Sequence, residues 1–513
     1  MEKTDTTTKT GYTPKGFAAW LNKFFGFAER GGTMKGEIVA GVSIFLLSVC
    51  MLLVNTRVIG QTLGATSAEY CGIYLAAAIT SFLGTLAIGL IARLPLVQLS
   101  SLSLTSSFIA LVGAGNGLTY QNMLAVTLLS AIIYTVVVSI PVCRNFLKTA
   151  LPKAVRKALP VAMGLYVVLY ALNSIGLVSL DGGVSFVGVS GITEGTGRLA
   201  ALGAIAAIIA MIAVLVFVKL KKSGKVSAPI FFSILTGFII FYVVGVFYAF
   251  SLVFSTDRVY MTAGAENLYT IGMGFSGIDF GSVFTKGFDF SAYTGNVAEL
   301  FISGMFVFFF MSMYESDANI QAACLLGEYE EDEKRTNTAL ICCGATNIFA
   351  ALIGSCPLSI GKQSAAGAVE GGKSGLTSVV AAIGFFIALF TWVFFTALAS
   401  TTGTVTDYGH ATSNSFAEYA QAGFAVIDGV MLVVGLLMMK GIKGIDASKL
   451  DELLPFAATI CGFVFTFNIV IGVCAGLVAY VICKLLSCKA KEIKAIGIPT
   501  AVLTVVMIIV LAL

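Results

Sequence analysis

From residue 36 to residue 513, apolar stretches long enough to cross a bilayer follow one another almost without pause. Crossing the ~30 Å hydrocarbon core takes about 20 apolar residues in a helix. Such stretches fall near 36–58, 70–92, 95–114, 121–142, 158–178, 198–218, 228–252, 297–324, 338–354, 356–371, 376–398, 421–439, 454–470, 471–486 and 496–513. Backbone in lipid must satisfy its own hydrogen bonds, which leaves helices or closed barrels, and segments of this length read as helices. Composition agrees, with 58% hydrophobic and 11% charged residues, where a soluble domain carries about 25% charge. The reading is an all-α polytopic membrane protein of the cytoplasmic (cell) membrane.

The same composition excludes several function classes. The net charge is only +4, with the basic residues at segment ends, so no nucleic-acid surface is indicated. The 11 cysteines lie mostly inside apolar segments, as with Cys50, Cys71, Cys342, Cys343, Cys461 and Cys474, where they pack as small apolar residues. No spacing suggests a metal, and no cofactor is expected. His410 is the only histidine and falls in a loop. A nucleophile–base pair at membrane depth is therefore missing, which argues against an enzyme.

The distribution of Lys and Arg orients the chain with its N-terminus in the cytoplasm. Residues 1–16 read as a polar tail, and 17–29, with Trp20, Phe24 and Phe25, as an amphipathic helix on the membrane surface. The inner loops then carry Arg93, Arg144, Lys148, Lys153, Arg156, Lys157, Lys219, Lys221, Lys222 and Lys225, while 59–69, 115–120 and 399–420 carry neither Lys nor Arg. The stretch 453–486 is either one over-long helix or two spans turning near Asn468. Two spans keep Lys484, Lys489, Lys491 and Lys494 inside, giving about fourteen spans and an extra C-terminal segment.

Spans one to seven and eight to fourteen echo each other. The third of each half is unlike its neighbours: QLSSLSLTSSF at 98–108, and a short segment with Pro357, Gly361 and Gly367. An odd number of spans per half inverts one half against the other, and paired interrupted spans at matching positions point to a transporter site at the bilayer midplane. The competing reading is that small and hydroxyl residues merely let helices pack closely. Ionisable residues fall in the same region: Glu315 and Asp317 in FFFMSMYESDANI (308–320), and Lys362 in SCPLSIGKQSAAGAVEGGKSG (355–375). Charge at membrane depth marks a candidate functional site, so these segments read as walls of a substrate site.

The stretches SAAGAVEGGKSGLTSVVAA (364–382), GEIVAGVSIFLLSVCMLLVN (36–55) and MSMYESDANIQAA (311–323) resemble the hypoxanthine/guanine/adenine permeases. These are a branch of the nucleobase–cation symporter group that also holds uracil, xanthine and urate permeases. The resemblance implies two inverted repeats of seven spans, a core domain (spans 1–4 and 8–11) moving against a gate domain (spans 5–7 and 12–14), and short strands in spans 3 and 10 that meet at the site. It also implies a homodimer. On this chain the domains would run 1–34 (tail and amphipathic helix), 35–157 and 297–398 (core), 158–296 and 399–486 (gate), with 487–513 as the extra segment. The family's eighth-span carboxylate falls on Glu315. Its tenth-span carboxylate falls on Gln363, a departure, with Lys362 beside it. Thr105 and Phe108 stand at the matching places of the third span.

A purine presents N–H donors and carbonyl acceptors around a flat ring. Gln363 can pair with such an amide edge. Ser364 sits where strand should give way to a helix N-terminus. Ser312, Glu315 and Asn319 share one face of span eight, and Phe108 or Tyr314 could stack on the ring. Lys362 has three readings: recognition of an anionic substrate, an ion pair with Glu315 or Asp317, or a side chain reaching cytoplasmic water. Glu315, with Asp317 second, is the candidate for proton coupling. Asp428 reads as an outer-gate contact or a solvated helix end, and GEYEEDEKR (327–335) as a solvated turn. The expected function is import of a purine nucleobase such as hypoxanthine, guanine, xanthine or urate, by proton symport with an elevator-like movement. The alternatives are an anion transporter on the same fold or an uncoupled nucleobase facilitator.

Overall fold

The computed structural model describes residues 13–64, 67–113, 117–179, 185–186, 197–224, 226–253, 277–390, 415–446, 448–486 and 497–512. An amphipathic helix, α1 (Phe17–Phe25), precedes the first half. That half runs α2 (Met34–Leu63), α3 (Ser67–Ala87), β1 (Gln98–Leu99), α4 (Leu102–Gly113), α5 (Tyr120–Ser139), α6 (Pro141–Ala150), α7 (Lys153–Ser174), a β2–β3 hairpin (Val178–Ser179, Ser185–Phe186), α8 (Gly197–Lys222) and α9 (Pro229–Val253). After the short α10 (Ser282–Thr285) the second half runs α11 (Val297–Gly327), α12 (Glu333–Leu352), β4 (Ser359–Ile360), α13 (Gln363–Glu370), α14 (Gly375–Phe390), α15 (Ser415–Met438), α16 (Leu450–Thr466) and α17 (Ile469–Leu486), followed by α18 (Ile498–Ala512). Among the described residues 8 helices are long and apolar enough to span a membrane, and three shorter apolar helices accompany them. The protein is a mostly helical, multi-pass membrane protein. The stretch 453–486 is two helices, divided at Phe467 in the left-handed conformation beside Asn468.

The expected broken spans are present. Each of the third and tenth segments enters as a two-residue strand and continues as a half-helix, α4 or α13. The strands pair antiparallel, Gln98 with Ile360 and Leu99 with Ser359. Two residues of strand cannot hold themselves, and backbone at this depth must be satisfied by neighbouring protein. Asn347 brackets Leu358, donating to its carbonyl at 2.8 Å and accepting from its N–H at 2.6 Å. Ser364 Oγ accepts from Val97 N–H at 3.0 Å, and Gly361 N–H donates to the Val97 carbonyl at 2.8 Å. An asparagine in each half supports the break: Asn55 of α2 donates to Ser100 O at 2.7 Å, and Asn319 of α11 to Ile360 O at 2.8 Å.

The packing repeats with the chain. Helix α14 lies against α2 and α3, and its counterpart α5 lies against α11 and α12. Helix α13 packs on both α11 and α2, and α4 on both α2 and α11. These elements pack together as one body, where the core is expected. A second body, where the gate is expected, is α7, α8 and α9 with α15, α16 and α17. There α16 packs on α7 and α17, as α8 packs on α15 and α9. The bodies meet along a seam where α11 faces α7 and α17, and α2 faces α15 and α9. Helix α18 packs against α6, α17 and α11. His410 and most of the loop around it lie outside the described residues, as does 254–276.

Candidate functional site

Helix α11 reads the broken segment along one face. Ser312 donates to Leu358 O at 3.3 Å, Ser316 Oγ accepts from Ile360 N–H at 3.0 Å, and Asn319 donates to Ile360 O. Between them Glu315 is fully buried. Its carboxylate accepts from Ser101 at 2.7 Å, from Ser359 at 2.9 Å and from Ser103. Three hydroxyls from two broken segments thus replace the water that a buried carboxylate loses. Ser101 and Ser103 arrive from the start of α4, and Ser359 from β4, so the carboxylate ties α11 to both strands.

Next to this cage the structure leaves acceptors open. The side-chain oxygens of Gln363 and Asn319 are buried with no hydrogen-bond partner, an arrangement that costs about 1–3 kcal/mol per group unless a donor arrives. Both residues line a cavity of about 20 Å³ with Ser101, Tyr166, Glu315 and Lys362. That is room for about one water. Gln363 opens α13, so the positive end of the half-helix faces the same cavity. Ser364 is the exception in this group, its hydroxyl engaged by Val97 N–H.

Lys362 occupies the seam. It is buried, and its ammonium lies 5.0 Å from the Tyr166 ring centre and 5.1 Å from that of Tyr170, both on α7. Cations are attracted to aromatic faces at such distances. Its burial speaks against a side chain reaching bulk water. Nor does it pair with Asp317, which lies 3.7 Å from Arg156 and accepts from Gln321 at 2.6 Å. The carboxylates that line cavities with Lys362 are Asp428 in one and Glu315 in the other. Asp428, on α15, accepts a hydrogen bond from Ser174 and shares with Lys362, Gln363 and Tyr170 a second small cavity across the seam.

Other expected residues sit further off. Phe108 is buried against Tyr120 and Phe308, and Thr105 is 3.0 Å from Ser100 Oγ; neither lines the two cavities. Tyr314 stacks on Phe310. The aromatic groups beside Lys362 are Tyr166 and Tyr170, which the sequence reading passed over, and Phe424 also lines the second cavity. Two tyrosines four residues apart in an otherwise aliphatic span, LYVVLYAL (165–172), were the signal that could have found them. The cage serines Ser101 and Ser103 lay in the singled-out run but were not chosen.

No family model matches the chain. Among curated proteins it is 23% identical over 491 residues to the guanine/hypoxanthine permease GhxP of Escherichia coli O157:H7, covering 95% of this chain and 96% of that one. It is 22% identical over 490 residues to the adenine permease AdeP of Escherichia coli (95% and 96%), and 21% identical over 492 residues to the guanine/hypoxanthine permease PbuO of Bacillus subtilis (95% and 100%). Among solved structures, the transmembrane domain of a cyanobacterial bicarbonate transporter, BicA, aligns at 14% identity with TM-score 0.45, over 86% of this chain and 97% of that one. Across nearly its whole length, then, the chain is similar to proteins named as guanine/hypoxanthine and adenine permeases.

Proposed function

We propose that this protein is a transporter, not an enzyme, and that it imports a purine nucleobase such as hypoxanthine, guanine, xanthine or urate across the cell membrane. The observation that carries the reading is the pair of unpartnered amide oxygens, Gln363 Oε1 and Asn319 Oδ1, in one cavity. Two buried acceptors call for a ligand with at least two N–H donors. A purine base supplies them along one edge, and Tyr166 offers its ring a face. Sulfate and bicarbonate bring mainly acceptor oxygens, which two open acceptors would oppose. Relatives named as nucleobase permeases support the same substrate class.

Where the groups sit supports a mechanism for this transport. Glu315, Gln363 and Asn319 belong to the core; Tyr166, Tyr170 and Asp428 belong to the gate. A cavity of about 20 Å³ holds no purine, so the base enters when the bodies part along the seam. An elevator-like shift of core against gate would do this, with Glu315 carrying the coupled proton. The N-terminus and basic loops face the cytoplasm, and the protein works as a homodimer; for the dimer the support is the family resemblance alone.

The test is uptake into proteoliposomes of labelled hypoxanthine, guanine, adenine, xanthine and urate, with and without an inward proton gradient. Gradient-stimulated uptake of one or more bases is expected. Uptake that ignores the gradient would make the protein an uncoupled facilitator. Transport of sulfate or bicarbonate with no base moved would overturn the substrate class.

A further inference from the structure

The half-helix α13 carries Gln363 at one end and Glu370 at the other, 8 residues in all, so its ends lie about 10 Å apart. The site uses the first end. The second end, buried at Glu370, is clasped to the gate in two opposite directions. Glu370 accepts from the backbone N–H groups of Ile230 at 2.8 Å and Phe231 at 3.0 Å, the first free donors of α9. Helix α9 follows Ala228, whose side chain offers no oxygen, so the core supplies the cap that the gate helix lacks. In return Lys221, at the end of α8, donates to the carbonyls of Val369 at 2.7 Å and Glu370 at 2.8 Å. The gate thereby caps the C-terminus of the core's half-helix. A cation and an anion cross the seam in opposite senses within one turn of helix. Ser43 of α2 adds a longer bond to Glu370 at 3.4 Å.

We propose that Glu370 is a positioning residue for transport, and that α13 is a lever whose far end latches the core to the gate while its near end meets the substrate. The inference rests on the functional reading for its output, movement of core against gate. Its geometry is independent of the substrate. Both bodies are rigid pieces of packed helix, so core cannot slide past gate while each still caps the other. Release of the clasp therefore accompanies the shift, and an eight-residue helix is too short to let one end move while the other stays.

The experiment compares full-length wild type, Glu370→Gln and Lys221→Met in lipid nanodiscs, with no ligand, by amide hydrogen exchange. Faster exchange by about tenfold is expected at Ile230 and Phe231, the capped donors. The lever requires a second change at the far end: at least threefold faster exchange at Gly361, Ser364 and Ala365. Acceleration confined to 230–231 and 369–371 in both variants would overturn the proposal, because a local cap predicts only that. Lys221→Met reaches the clasp from the other body and keeps the test open if Glu370→Gln folds poorly. Guanine counterflow in proteoliposomes gives the functional readout, with a rate at least threefold higher than wild type expected for both variants. Weaker guanine binding with an unchanged counterflow rate would mark Glu370 as purely structural. If wild type moves no purine, that overturns the functional reading, while the exchange pattern still decides the lever.

Discussion

At the scale of single residues the site divides charge from recognition. Glu315 is the buried carboxylate, and three serine hydroxyls take three of its about four lone-pair positions, leaving one for a proton. It is therefore better placed to hold and release a proton than to bind a base directly. Glu315→Gln keeps the shape and most hydrogen bonds but cannot titrate. Concentrative uptake should be lost while base exchange at equal concentrations persists; gradient-driven uptake in that variant would remove Glu315 from coupling. Gln363 has the opposite profile, since its open oxygen awaits the ligand. Removing one such hydrogen bond costs about 1–3 kcal/mol, so Gln363→Ala should weaken base binding roughly 10- to 100-fold with coupling retained. A binding isotherm matching wild type would move the site elsewhere. Glu315 and Lys362 were legible in the sequence because charge inside an apolar run is conspicuous. Ser101, Ser103 and Tyr166 were not, because hydroxyls and tyrosines are common in spans, and only the fold says which of them converge. Thr105 and Phe108 were placed by likeness to relatives. The turn of α4 instead points Ser101 and Ser103 at Glu315.

At the scale of elements, the two interrupted segments were the legible part of the architecture. Pro357, Gly361 and the serine run of 98–108 announced that neither segment is a continuous helix, and the likeness to the permeases implied that short strands there would meet at the site. The pairing of Gln98 with Ile360 is that meeting. What the sequence lacked was the support: Asn347, which brackets Leu358, comes from a segment with no visible relation to the strands, and nothing in the sequence pairs Ser364 with Val97 of the other broken segment. Gly361 shows how tight the crossing is. A methyl group there would overlap the Leu99 side chain and come within 2.7 Å of Gln363 Oε1. Overpacking of this kind costs about 1–3 kcal/mol. Gly361→Ala should therefore push the two broken segments apart, reducing base affinity at least tenfold at unchanged expression. Wild-type affinity in that variant would mean that the strand crossing does not set the geometry of the site.

At the scale of the whole molecule, the halves share much of their packing, and the second half is the more engaged with the gate. Helix α13 rests on gate helices α9 and α15, whereas among the described residues its counterpart α4 makes no comparable contact with the gate. The mates of α9 and α15 under the repeat are α17 and α7. A molecule built from two inverted copies can exchange the roles of the copies, because each packing arrangement is available to either half. The asymmetric contact then identifies the present state as one in which the second half is engaged. Under the proposed movement the expected opposite state has α13 released from α9 and α15, and α4 settled on α17 and α7. Aligning the paired strands puts Ile109 of α4 where Glu370 stands in α13, and the start of α17 matches the capped start of α9. Cysteines introduced at Ile109 and Val470, with the reactive native thiols replaced, should thus crosslink poorly in the resting protein. They should crosslink efficiently in the Glu370→Gln background, where the clasp that holds the second half is weakened. Equal crosslinking in both backgrounds would mean that the halves do not exchange roles, and that the movement of core against gate follows some other path than the one its own symmetry provides.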